Sequence, residues 1–359
     1  MSDKIMPAVI AVFVGLGLAV ALFIPFIAIS YRRRGFISAW WVIGWVALLS
    51  YAMALWTYTL MPLPVEGYKC VGAQLTPLAT VQDVLRYPHT SAGQLLRNPA
   101  VQQVVFNVLL FMPFGFLLRT MFRRGIILAT VGGFGISLFI ELTQKTGIWG
   151  SLPCAYRLFD VDDLMTNTFG ALLGSIVAWF FIPRKNVQLD PAMPRPVTAG
   201  RRLLAMLCDV LFLALVGSIL TIAWRAWQMY GKGVSFDALD QNTQSLLLIW
   251  VPLGIHFLWI MFSGQTIGES ATLLRGRPTR IPAIAARVIR FLGGIGGYGI
   301  LTGLTFPLSS ALLTVFVILS VIMAFTSSGH KGLAAQLAGM ELEDARKPKR
   351  NISKNYTGS

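Results

Sequence analysis

The chain has 359 residues, of which 55% are hydrophobic and 13% charged, and its mean hydropathy is +0.66. That composition excludes a water-soluble globular domain and points to a polytopic membrane protein. The net charge of +15 comes from 30 Lys and Arg against 15 Asp and Glu, but the basic residues fall in short clusters between apolar runs, a topology signal rather than a nucleic-acid-binding surface.

The first apolar run, 6–30, is longer than the core of a cleavable signal peptide and lacks a small-residue cleavage site before "YRRRG", so it is read as a retained helix. Further apolar runs follow at 36–60, 103–121, 125–143, 164–182, 203–224, 245–263, 291–308 and 309–326. The expectation is an all-α transmembrane bundle of about nine spans in two halves.

Orientation follows from the basic clusters. Arg32, Arg33 and Arg34 follow the first run, Arg119, Arg123 and Arg124 the third, and Arg184 and Lys185 the fifth. Such loops are retained in the cytoplasm. Continuing the alternation places Arg275, Arg277, Arg280, Arg287 and Arg290 in an inner loop and Arg346, Lys347, Lys349 and Arg350 in an inner tail. The expectation is a multi-pass protein of the cell membrane with its amino terminus outside and its carboxyl terminus cytoplasmic. The inner basic surface would also attract anionic lipid.

Cys70 and Cys154 fall in loops on the outer side, where oxidation is allowed, and are placed to form a disulfide. Cys208 lies within an apolar run and reads as a small buried hydrophobe. The stretch 183–202, "PRKNVQLDPAMPRPVTAGRR", is polar and rich in proline, and separates five spans from four. The expected division is an amino-terminal helix at 1–35, a membrane domain at 36–182, a cytoplasmic linker at 183–200, a second membrane domain at 201–345 and a basic, partly disordered tail at 346–359. "NIS" and "NYT" in that tail match the glycosylation pattern but lie on the inner side.

Most chemistry-bearing residues gather around "RLFDVDDLMTNTFGALLG". Asp160 can cap the following helix, and Asp163 in its first turn suits the positive end of the helix dipole. Asp163 and Asn167 are four apart and share a face, along which Gly170 and Gly174 continue. Glu141 and Gln144 share a face of the preceding span, Asn107 sits on the third, and Asp162 completes the acidic group. Arg157 is the expected counter-charge. The cluster reads either as a sealed structural network or as a cleft. A cleft could bind a cation or cationic ligand, act as an acid/base pair, or hold a lipid head group. Neither a nucleophile at catalytic spacing nor a set of metal ligands accompanies the acids, His89 reads as a solvated loop residue, and no cofactor is implied. In the second half Arg202 and Asp209 lie about two turns apart on one helix face, with Gln265 or an inner-loop arginine as the expected partner of the acid.

"FNVLLFMPFGFLL", "FIELTQ" and "RLFDVDDLMTNTFGALLG", in that order, resemble the signatures of the VanZ-like membrane family over about residues 40–182. By that resemblance Asn107, Pro113, Gly115, Glu141, Gln144, Arg157, Asp160, Asp162 or Asp163, Asn167 and Gly170 are its characteristic residues. The resemblance implies a bacterial cell-envelope protein, the founding member being associated with resistance to the glycopeptide teicoplanin. "RRLLAMLCD" and "GQTIGESATLL" resemble the RDD family of membrane domains over about 198–345, some members of which have been proposed as ion antiporters. Where that family has a His-Asp pair before its closing Ala-Gly, this chain has Ala334 and Ala335. The expected partners are membrane lipids and a lipid-linked or cell-wall ligand. Ion antiport through Glu141, Asp163 and Asp209 and an intramembrane hydrolase or transferase are the alternatives.

Overall fold

A computed structural model of the protein describes residues 2–61, 63–64, 67–88, 90–182, 190–279, 281–304 and 306–346. His89, Arg184, Lys185, most of the linker, Arg280, and Lys347 with the rest of the tail lie outside the described residues. In chain order the elements are α1 (Ser2–Ala21), α2 (Phe23–Arg34), α3 (Ala39–Leu60), β1 (Ala73–Gln74), α4 (Ala79–Leu85), α5 (Ala92–Arg97), α6 (Pro99–Phe122) and α7 (Ile126–Lys145). They continue with β2 (Phe159–Asp160), α8 (Val161–Phe181), α9 (Ala199–Gly231), α10 (Gln241–Ser263), α11 (Ile267–Thr272), β3 (Leu274–Pro278), α12 (Ala283–Leu292), α13 (Ile295–Gly303), α14 (Ser309–Thr326), α15 (Gly332–Leu337) and β4 (Met340–Asp344). Helix accounts for 74% of the structure. The protein is an all-α polytopic membrane-helix bundle.

Among the described residues seven helices are long and apolar enough to cross a bilayer, and the number reaches nine if each of two broken pairs is one span. The breaks correct two of the continuous runs read from sequence. The first run divides at Leu22 into α1 and α2. Pro25, in the first turn of α2, has no N–H to donate to the Ala21 carbonyl one turn earlier, so the ladder cannot continue through it. The eighth run, 291–308, takes in only the last two residues of α12 and then α13; the two helices meet at 43° across Gly293 and Gly294. Gly294 has φ −133° and ψ −123°, a conformation open to glycine. Arg287 and Arg290, expected in an inner loop, are therefore on α12.

The chain forms two compact units, residues 1–20 with 38–187, and 21–37 with 188–359. In the first, α6 and α8 approach so closely that a Cβ on Gly174 would lie 1.9 Å from the Met112 carbonyl oxygen, and one on Gly170 2.3 Å from that of Val108. With no hydrophobic drive between helices in lipid, such backbone proximity supplies the dispersion contact. Leu55, Phe111 and Ile140 pack beside it, with the Tyr51 hydroxyl donating to the Leu110 carbonyl at 2.9 Å.

In the second unit Leu213, Leu253, Ile260, Phe291 and Ile295 form the apolar core. The stretch "SGQTIGESATLLRGRP" contains α11 and β3. β3 pairs antiparallel with β4 from Leu274↔Asp344 to Pro278↔Met340. The partner strand thus closes the stretch expected to be the second membrane domain, just before the basic tail. This pairing joins positions about seventy apart, and period-two alternation over five residues is too short to announce it.

Candidate functional site: a cluster of carboxylates and amides on three helices

Local rules place the first of the acids. Asp160 is the N-cap of α8, its Oδ1 accepting from the Asp162 N–H at 2.9 Å. Burial raises its pKa, the bond from the Asp162 N–H opposes this, and the charges of Asp162 and Asp83 raise it again. The Asp160 N–H donates to Glu141 Oε2 at 3.1 Å, which brings α7 to the same point.

The three aspartates diverge from there. Asp162 is buried and pins the loop 61–98: its Oδ1 accepts from the Leu78 N–H at 2.6 Å and its Oδ2 from the Thr80 N–H and hydroxyl, each at 2.7 Å. Asp163 turns toward α6, where its Oδ1 accepts from Asn107 Nδ2 at 2.6 Å and Gln103 Nε2 at 3.2 Å. Asn167, one turn along, donates to Ser137 Oγ of α7 at 2.9 Å, and its buried Oδ1 has no partner among the described residues. An advance of four residues rotates by about 40°, enough for Asp163 and Asn167 to address different neighbours. Gln144 donates to the Thr59 carbonyl at 2.6 Å and ties α7 to α3 instead of joining the acids.

Arg157 does not fill the role expected of it. Its Nη2 donates to the Met61 carbonyl at 2.7 Å, and among the described residues no Lys or Arg lies within 4.0 Å of Glu141, Asp160 or Asp163. The charges of Asp160, Asp163 and Arg157 all act on Glu141, so three carboxylates share one region, with Arg157 at longer range. Such a group favours hydrogen-bond donors, cations or shared protons. Among the described residues no set of three His, Cys, Asp or Glu is arranged to hold a metal.

The adjoining loop is tied down at several points. Cys70 and Cys154 are bonded, with Cα atoms 5.6 Å apart. The Tyr68 hydroxyl donates to the Cys154 carbonyl at 2.8 Å, and β1 pairs parallel with β2, Gln74 opposite Asp160. Beneath this loop lies an apolar groove of about 760 Å³, with Val84, Val104, Phe134 and Phe169 among its walls and Thr80 and Asp162 on its lining. Thr80, Gln103 and Ser137 had no signal in the sequence; hydroxyls and amides at scattered positions acquire a role only when the helices assemble.

In the second unit the sequence-selected pair separates. Arg202 Nη1 donates to Glu269, which also pairs with Arg290 Nη2. Asp209 accepts from the Gly268 N–H at 2.6 Å and lies 3.4 Å from His256 Nε2, so neither Gln265 nor an arginine is its partner. Thr266 and Glu269 form a capping box, the "TIGE" of the sequence. Burial would raise the Glu269 pKa, but Arg290, Arg202 and the Thr266 N–H overcome this and hold it down to about 2. Likewise Asp344, despite burial, is held well below the usual carboxylate range by Arg346, the Arg195 N–H and Arg201.

No curated protein and no solved structure matches the chain. Residues 45–182, which contain the whole carboxylate cluster, match the VanZ/LLP1 family model, so the amino-terminal part of this multi-pass membrane-helix protein is VanZ-like.

Proposed function

We propose that the VanZ-like part recognises an amphiphilic ligand, a lipid-linked or cell-wall precursor of a bacterial envelope, and thereby contributes to glycopeptide (teicoplanin) resistance. The observation that carries this reading is the apolar groove of about 760 Å³ whose lining reaches Thr80 and Asp162 beside carboxylates that have no close cation. An acyl chain suits the groove, and head-group hydroxyl or amine donors suit Glu141, Asp160 and Asp163. The arginine clusters support an arrangement with this cluster and both disulfide cysteines outside and the carboxyl terminus inside. Labelling of a cysteine introduced at Ser327 from outside intact cells would overturn that orientation.

The test pairs lipid-binding and glycopeptide-susceptibility assays with detergent-solubilised stability on Asp163→Asn and Glu141→Gln. Loss of binding and phenotype with stability retained is expected, because removing one charge from a crowded acidic group offsets the lost hydrogen bonds. Full activity in both variants would sink the reading.

The carboxyl-terminal half is read as an RDD-like membrane domain, since the two stretches that carry the resemblance meet through Asp209 with Gly268 and Arg202 with Glu269. The buried Asp209–His256 pair favours ion antiport as a second reading for this half. Proton-coupled cation flux in proteoliposomes, lost in Asp209→Asn, is its test.

A further inference from the structure

The second unit contains a cavity of about 310 Å³ that takes no part in the VanZ-like site, within the roughly 300–1,000 Å³ common for small-molecule sites. Its walls come from α9, α12, α13, α14 and α15, with Tyr298, Phe316 and Val317 giving an apolar interior and Ser320 the polar exception on α14. Arg202, Arg290 and Asp209 lie on the lining; the Asp209 Oδ1 is already bonded to the Gly268 N–H, and Glu269 pairs with both arginines.

The arginines are incompletely bonded. Arg202 is 4% exposed, yet its guanidinium makes one hydrogen bond among the described residues, from Nη1 to Glu269, and Nε has no partner. Arg290 is 1% exposed; its Nη1 donates to the Gly264 carbonyl at 3.1 Å and lies 3.6 Å from Met340 Sδ, its Nη2 pairs with Glu269, and its Nε has no partner among the described residues. Buried guanidinium N–H groups seek acceptors, and a planar fork with free donors matches an oxyanion. From those free donors on the lining of an apolar cavity, we infer that it holds an anionic amphiphile, its chain among Tyr298, Phe316 and Val317 and its oxyanion on Arg202.

The experiment uses the full chain in nonionic detergent and native mass spectrometry with phosphatidylglycerol, oleate and phosphatidylcholine. Retention of phosphatidylglycerol makes the ligand a bilayer phospholipid, and retention of oleate alone makes it a free fatty acid; either should exceed phosphatidylcholine by about tenfold. Arg202→Lys keeps a charge for Glu269 but lacks the fork, and Ser320→Phe fills the cavity without touching the ion pairs. Each should weaken retention about tenfold or more. Because Ser320 belongs to this cavity, loss of retention on Ser320→Phe separates it from any binding in the VanZ-like part. Equal retention of phosphatidylcholine, no retention of either anion, or retention unchanged in both variants overturns the inference.

Discussion

The Asp163 carboxylate accepts a 2.6 Å hydrogen bond from the Asn107 amide, joining α8 to α6, while the adjacent Asp162 faces Leu78 and Thr80 on the loop 61–98. Neighbouring acids of the same type thus hold different parts of the fold. Asp162 is the anchor of the loop, and both hydrogen bonds to Asp163 fall on its Oδ1, which leaves Oδ2 without a partner among the described residues.

Substituting Asp162 should accordingly damage the structure. Asp162→Ala leaves the Leu78 and Thr80 N–H groups without their acceptor, at a cost of about 1–3 kcal/mol. A lower melting temperature in detergent is expected, with faster proteolysis between residues 70 and 98. Unchanged proteolysis would show that the disulfide and β1 hold the loop by themselves.

The close approach of α6 and α8 predicts intolerance of any side chain at Gly174. Its Cβ would overlap the Met112 carbonyl oxygen at 1.9 Å, so Gly174→Ala must push the helices apart and is expected to destabilise by about 1–3 kcal/mol. Gly135, whose Cβ would meet nothing within 4 Å, should accept alanine with little change. The comparison is read from the yield of monodisperse protein and from thermal unfolding.

The second unit should show an acid transition that belongs to Glu269. Its carboxyl sits at about 2 in the folded protein, below the roughly 4.3 of an unperturbed glutamate. A depressed pKa contributes stability that is fully present above the unfolded value and is lost as the pH falls through the folded value. Thermal stability should therefore decline between about pH 4 and pH 2. Glu269→Gln should remove Glu269's contribution to that decline while lowering stability at neutral pH by about 3–5 kcal/mol, because Arg202 and Arg290 lose their counter-charge.

Reduction should loosen the VanZ-like part. The Cys70–Cys154 bond spans a sequence separation of 84, and removing a native disulfide typically costs about 2–5 kcal/mol. Cys70→Ser and Cys154→Ser should show the same shift in non-reducing mobility and the same fall in melting temperature. Independent behaviour of the two variants would contradict the bond.

Much of the molecule is local and was therefore legible in the sequence. Apolar runs long enough to cross a bilayer show through composition alone, because lipid requires helices to satisfy their own backbone. Caps depend on residues one to three positions away, so Asp160 at the start of α8 could be read directly. The tertiary structure decided the partnerships. Arg157 stands three residues from Asp160, yet it donates to the Met61 carbonyl, brought close by the return of the chain after α3. Arg202 stands seven residues from Asp209, yet it pairs with Glu269, which the packing of α9 against α11 places beside Arg290 from α12. A buried charge takes whichever partner the packing of distant segments delivers, because in low dielectric proximity and hydrogen-bond geometry outweigh separation along the chain.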